Sequence, residues 1–265
     1  MPSLPVALTV AGSDPSGGAG LQADLKTFHQ FGVYGASVVT LLTVQNTRAV
    51  TAVEFVAPDL LRAQFDAVVG DIPPHAAKTG ALGRAELLRA FAACARGSAF
   101  PWVVDPVMVS KHGAPLLDDD AVSALCDAVL PLAYVVTPNL HEAARLAGFA
   151  VNDPETMERA ARRIAAMGAR HVVVKGGHLA HEAHDLLWSE GRATVFAAAR
   201  VERAHTHGTG CTLSAAITAR LAQGATVHDA VRDARDFVRA AIETAPGLGG
   251  GCGPVNHFAP RPHAR

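Results

Sequence analysis

The stretch HTHGTGCTLSAA, residues 205–216, puts a thiol where a glycine-rich loop runs into a helical segment. The start of a helix offers backbone N–H groups with no carbonyl partner and the positive end of the helix dipole, a setting that receives a phosphoryl group. The same setting is expected to bring the Cys211 thiol from about 8.5 toward neutrality and make it a better base than an ordinary cysteine. Two other readings stay open. His205, His207 and Cys211 could form a metal site, for which no fourth ligand is indicated, or Cys211 could be a small buried apolar residue.

Other groups suited to phosphate chemistry recur along the chain. GSDPSGGAG, Gly12–Gly20, has neither the Lys-Ser/Thr of a P-loop nor the spacing of a dinucleotide fingerprint. It is either a flexible turn or a place where the main chain closely approaches a small ligand, which Asp24, one turn into the next helix, would then also reach. Asp105 in DPV, with Asn139 and Glu142 in NLHE, puts acidic and amide groups just past strands. Each motif alone suits a solvated loop, but together they suggest Mg²⁺, an ion held by one or two carboxylates plus substrate phosphates. Lys175, closing HVVVK, is a flexible point charge suited to a phosphate oxygen. His112, His178, His181 and His184 could touch phosphate, but each reads first as a solvated side chain.

Positioning these groups requires short strands alternating with amphipathic helices. The pattern predicts strands at Val6–Val10, Ser37–Val44, Ala76–Thr79, Trp102–Val104, Tyr134–Thr137 and His171–Lys175. Helices are predicted at Leu21–Phe31, Pro58–Val69, Arg84–Ala95, Asp119–Val129, Glu142–Ala147, Pro154–Met167, Thr209–Ala222 and Val227–Thr244. This alternation predicts an α/β fold with a mainly parallel sheet in three layers, as one domain over residues 1–258 with a loose tail at 259–265. Five of the polar motifs follow strands, and ligands of open α/β sheets bind beyond the carboxyl ends of strands, so one shared site is expected.

Composition narrows the partners. A formal charge of -1 gives no basic field for nucleic acid or an anionic membrane. The four cysteines form no C-x-x-C pair, which disfavours a zinc ribbon or a disulfide scaffold, and no apolar run reaches membrane-spanning length. A cytoplasmic protein of a reducing compartment is expected.

The motifs ALTVAGSDPSGGAGLQADLKTF, TVQNT, VVDPVMVSK, VVTPNLHEA, VVVKGGH, HTHGTGCTLSAAI and GPVNHF, in this order from about Ala7 to Phe258, resemble those of the hydroxymethylpyrimidine/phosphomethylpyrimidine kinases, within the ribokinase superfamily. The resemblance implies a ribokinase-like α/β/α sandwich, often a homodimer, with ATP as co-substrate and Mg²⁺ as cofactor. It implies phosphorylation of 4-amino-5-hydroxymethyl-2-methylpyrimidine and then of its monophosphate, for thiamine biosynthesis. By the same resemblance Gly12, Ala19, Asp24 and Gln45 would line the pyrimidine pocket with Val109 on its wall. Asp105 and Glu142 would organise the metal, Asn139, Thr209 and Lys175 the nucleotide phosphates. Cys211 would sit where a proton leaves the substrate hydroxyl, with the amides of Gly208, Thr209 and Gly210 around the developing charge. One departure stands out: the family usually reads KIGML where this chain reads KTGAL, which puts Ala81 in place of a methionine beside the ring. A pyridoxal kinase of the same superfamily is the nearest rival, and Gln45, whose amide both donates and accepts, favours the aminopyrimidine. A non-catalytic pyrimidine sensor is the rival of another class.

Overall fold

Alternate residues of the central strands point to opposite faces, as in any strand, and here both faces are apolar because both are covered. In the computed structural model, which describes residues 4–109, 116–177, 183–198 and 201–261, Leu8, Val104 and Val172 enter one core while Ala7, Val103 and Val173 enter the other. The strands are β1 (Val6–Ser13), β2 (Tyr34–Gln45), β3 (Val50–Phe55), β4 (Ala76–Thr79), β5 (Trp102–Val104), β6 (Val135–Val136), β7 (His171–Val174), β8 (Ala183–Ser189) and β9 (Arg192–Ala198). They form one sheet in the order β3-β2-β1-β4-β5-β6-β7-β8-β9. The run from β2 to β7 is parallel, whereas β3, β8 and β9 join antiparallel at the two edges.

Eight helices cover the sheet among the described residues: α1 (Gly20–Gln30), α2 (Pro58–Asp71), α3 (Ala85–Ala95), α4 (Asp119–Ala124), α5 (Leu140–Ala147), α6 (Pro154–Ala165), α7 (Thr209–Ala222) and α8 (Val227–Glu243). Residues of α2 to α6 pack on one face and those of α1, α7 and α8 on the other, which makes the three layers. Helix α7, next to the site, is buried almost throughout from Thr212 onward, so its axis is held firmly and its first turn with it.

Three features depart from the sequence expectation. Strands β3, β8 and β9 were not anticipated. The helix expected over Asp119–Val129 is α-helical only to Ala124. Leu125–Val129 widens into a π turn in which the Leu130 N–H donates to Leu125 O, followed by a 3₁₀ turn at Leu130–Leu132. Pro131 explains the change, since it cannot donate a helical hydrogen bond and its ring crowds the preceding turn. The tail expected to be loose from residue 259 begins docked: Ala259 is buried, its carbonyl accepts from Gln30 Nε2 at 2.8 Å, and Arg261 Nη1 donates to Phe31 O at 3.1 Å.

Candidate active site

Lys175 follows β7 directly, and its ammonium reaches Asp105, which follows β5, at 3.0 Å and Glu142 in α5 at 3.9 Å. Asp105 is almost fully buried and also accepts from Thr137 Oγ1 at 3.3 Å and Ser214 Oγ at 3.4 Å. Glu142 forms a capping box with Asn139: Asn139 N donates to Glu142 Oε2 at 2.8 Å and Glu142 N to Asn139 Oδ1 at 2.9 Å. Burial pushes Glu142 up to about 7, against the pull of Lys175. Burial pulls Lys175 down, but Asp105 and Glu142 outweigh it and hold the ammonium above the usual lysine value.

The first turn of α7 comes to this cluster. A Cβ placed on Gly210 would lie 3.4 Å from Lys175 Nζ and 3.8 Å from Asp105 Oδ2. The Thr212 N–H closes the first helical bond onto Gly208 O at 2.8 Å, so the helix has no carbonyl one turn back for the N–H groups of Gly210 and Cys211. Two backbone donors, one ammonium and two carboxylates therefore surround one small space. When both carboxylates are ionised the three side chains carry one negative charge in excess, and their hard oxygens fit a divalent cation such as Mg²⁺. Among the described residues no three His, Cys, Asp or Glu come together as a ready-made metal cluster, so an ion would depend on Asp105, Glu142 and phosphate oxygens.

The glycine-rich turn after β1 lies against the α7 loop. A Cβ on Gly208 would land on the carbonyl oxygen of Gly18, and one on Gly18 would lie 2.6 Å from the His207 ring. Gly208 has φ of 82°, a conformation glycine adopts without strain. Asp14 joins the two segments. Its Oδ1 accepts from Ser16 N at 2.9 Å and Ser16 Oγ at 2.7 Å; its Oδ2 accepts from Ala19 N at 2.9 Å and meets His207 Nε2 at 2.8 Å. Burial pushes the Asp14 carboxyl up, but the hydrogen bonds from His207 and Ser16 outweigh it and hold it below the ordinary value. Sequence reasoning gave Asp14 no role. The signal was present in SDPS, where an Asp two residues before a serine is the pattern of an Asx turn.

At two residues the surroundings differ from those expected. Asp24 does not open onto a pocket: it is fully buried, with Oδ1 2.8 Å from Lys78 Nζ and Oδ2 accepting from Thr9 Oγ1 at 2.6 Å. Burial pulls Lys78 down, yet Asp24 and the more distant charges of Cys211 and Asp105 hold it above the usual lysine value. Lys78 was missed, although a lysine inside the buried segment AAKT is a signal in itself. Cys211, expected near neutrality, is pushed up to about 12. Burial is the largest cause, followed by the opposing pull of Lys78 and the push of Asp24 and Asp105, while the Gly20 N–H donates to the sulfur. Desolvation and two carboxylates outweigh Lys78 and the Gly20 N–H.

The remaining expected site residues divide. Ala19 caps α1 beside the two loops, and the Gln45 amide meets His207 Nε2 at 3.1 Å, so both belong to the cluster. Gly12 lies within β1, where the Leu41 side chain occupies the space of a Cβ. Val109 is 49% exposed, next to residues 110–115, which lie outside the described residues. Thr209 Oγ1 donates to Thr206 O at 2.6 Å, and the Ala81 carbonyl accepts from Thr40 Oγ1 at 2.6 Å. His205 Nδ1 accepts from Gly253 N at 3.0 Å and His207 faces Asp14, so neither ring turns to Cys211 as a co-ligand. His112, His178 and His181 also lie outside the described residues, and His184 is on β8.

A family model described as phosphomethylpyrimidine kinase matches residues 14–256. The chain belongs to the phosphomethylpyrimidine kinase family. It is 51% identical to the hydroxymethylpyrimidine/phosphomethylpyrimidine kinase of Rhizobium meliloti, over 96% of this chain and 97% of that protein. Among solved structures it is similar to the ADP complex of Bacillus subtilis pyridoxal kinase, with a TM-score of 0.90 and 39% identity over 97% of this chain and 98% of that one. It is likewise similar to the phosphomethylpyrimidine kinase of Clostridium difficile, with a TM-score of 0.81 and 40% identity over 90% of this chain and 99% of that one. The ribokinase-like sandwich is thus shared with kinases of both substrates. No helix of the described residues is long and apolar enough to cross a membrane.

Proposed function

We propose that this protein transfers the terminal phosphoryl of ATP to 4-amino-5-hydroxymethyl-2-methylpyrimidine and then to the resulting monophosphate, in the cytoplasmic synthesis of thiamine. One arrangement carries the reading: the N–H groups that open α7 meet Lys175 and Asp105 around Gly210, where an added Cβ would lie 3.4 Å from Lys175 Nζ and 3.8 Å from Asp105 Oδ2. Phosphoryl transfer depends on position and electrostatics more than on covalent chemistry, which suits such a cradle. The α7 loop, through Gly208, Thr209 and Gly210, would hold the migrating group, and Lys175 with Asn139 and Thr209 the nucleotide phosphates. Asp105 and Glu142 would hold Mg²⁺, which when bound neutralises phosphate charge. Gln45, Ala19 and Gly12 would face the ring, with Val109 at the rim. Asp24 would support the pocket from beneath through Lys78.

Cys211 fits this scheme less well as a base. A thiol near 12 keeps its proton at neutral pH, so its contribution is contact with the substrate hydroxyl and closure of the pocket. Exposed Leu42 and Val44, two residues apart on β2, support the homodimer that the resemblance implies, and sedimentation velocity tests it.

The similarity to the ADP complex of a pyridoxal kinase favours pyridoxal as a second reading. Steady-state assays with both alcohols decide between them: a higher kcat/KM for the pyrimidine is expected, and a higher value for pyridoxal would overturn the assignment. Mass spectrometry of the product is expected to find two phosphates on the pyrimidine. Pyrimidine binding without ADP release would instead indicate a sensor.

A further inference from the structure

The imidazole of His207 stands between the Gln45 amide and the carboxylate of Asp14. Its Nε2 lies 2.8 Å from Asp14 Oδ2 and 3.1 Å from the Gln45 amide nitrogen. Both His207 and Asp14 are buried. Asp14 is ionised, and an ionised carboxylate only accepts, so the hydrogen must sit on Nε2. Two N–H groups cannot face each other at 3.1 Å, so the amide of Gln45 must turn to present Oε1 to the imidazole.

The next partner supports the same orientation. Thr43 Oγ1 lies 3.3 Å from the other amide atom of Gln45 and donates its single hydrogen to Ser13 O at 3.0 Å. A hydroxyl that has already donated can only accept, which calls for the Gln45 NH₂ on that side. Every hydrogen in the chain then has an acceptor: the single Nε2 hydrogen of His207 is shared between Asp14, the nearer acceptor, and Gln45, while Gln45 donates to Thr43 and Thr43 donates to Ser13. One amide hydrogen of Gln45 is left over for a ligand.

We infer that Asp14 and His207 are specificity-determining positioning residues: together they lock Gln45 so that it offers an N–H, and so select a ligand whose ring presents an uncharged nitrogen acceptor. Without the relay the amide could rotate and would meet a donor or an acceptor equally well. The inference deepens the proposed function and rests on its placement of Gln45 in the pyrimidine pocket.

The test is a double-substitution cycle of His207→Leu and Gln45→Ala, with KM measured separately for 4-amino-5-hydroxymethyl-2-methylpyrimidine and for ATP. Loss of one buried hydrogen bond predicts that His207→Leu raises the pyrimidine KM about tenfold and leaves the ATP KM within about twofold. In the Gln45→Ala background the same change should move the pyrimidine KM by less than about twofold, since there is no amide left to orient. His207→Gln, which can restore an N–H near the place of Nε2, should recover most of the loss. Effects that multiply independently, or KM values for both substrates rising together, would overturn the relay. If His207→Leu does not fold, Asp14→Asn takes its place in the cycle, because its amide no longer demands the Nε2 hydrogen. A wild-type enzyme that fails to phosphorylate the pyrimidine would instead overturn the proposed function, and the cycle is then read with pyridoxal.

Discussion

At the scale of single residues, two glycines two positions apart in the α7 loop are required for different reasons. Gly208 is a backbone requirement: its left-handed conformation costs an alanine about 1–2 kcal/mol, before the collision with Gly18 O is counted. Gly208→Ala should therefore lower the unfolding midpoint as well as turnover. Gly210 is a space requirement, since an added methyl would touch Lys175 and Asp105 only at ordinary contact distance. Gly210→Ala should hold or slightly raise the midpoint while lowering kcat/KM on the order of 10²–10³-fold, because it would fill the space proposed for the phosphoryl group. Thermal unfolding measured beside steady-state kinetics separates the two. For Cys211, alkylation by iodoacetamide, followed by peptide mass spectrometry, should rise about tenfold per pH unit to about pH 10 without levelling, since the thiolate is the reactive form. A plateau below about pH 9 would restore the thiolate base. The loop, its glycines and its cysteine were all legible in the sequence. The acidity of the thiol was not, because it depends first on burial and then on the charges of Lys78, Asp24 and Asp105, which are distant in the chain and are brought near the sulfur only by the fold.

Among the elements, α1 is tied to β4 by the Asp24–Lys78 pair, which has no exposed surface on either side chain. Removing one partner of such a pair leaves a buried charge, at a cost of about 3–5 kcal/mol. Asp24→Asn should accordingly lower the urea midpoint sharply, and the joint change Asp24→Asn with Lys78→Met should recover much of the loss. Recovery of stability without recovery of turnover would indicate that the pair also shapes the pocket. The parallel strands were visible in the sequence because burial on both faces leaves near-continuous apolar runs such as WVV and HVVV. Strands β3, β8 and β9 were not visible, because strands at the sheet edges, and β8 next to one of them, are only partly buried and mix their composition. Thr51, Ala52 and Glu54 of β3 all face solvent, and β8 opens on Ala183, His184 and Asp185. The capping box at Asn139 was read only as a pair of polar groups past a strand, yet it is what aims Glu142 at Lys175.

For the molecule as a whole, the segment after Gly253 closes the helical layer of α1, α7 and α8, and one of its residues gives the fold a dependence on pH. His257 is buried beside Thr212 Oγ1 at 3.3 Å, and burial, with Lys26 and His207 nearby, pulls its imidazole down to about 4. The unfolded chain binds the proton first, near 6.5, so the stability this residue contributes is present above that value and is lost as pH falls toward 4. The size is about 3 kcal/mol. His257→Gln should flatten the fall in unfolding midpoint between about pH 6.5 and pH 4, and an unchanged slope would assign the acid sensitivity elsewhere. The Asp14–His207 contact has a different consequence, one of timing: its partners are 193 residues apart in the chain. Strands β1 to β7 are all translated before the α7 loop leaves the ribosome, so most of the sheet can assemble while the proposed phosphate cradle is still missing. A nascent chain of this protein should thus gain resistance to proteases well before it can retain ATP.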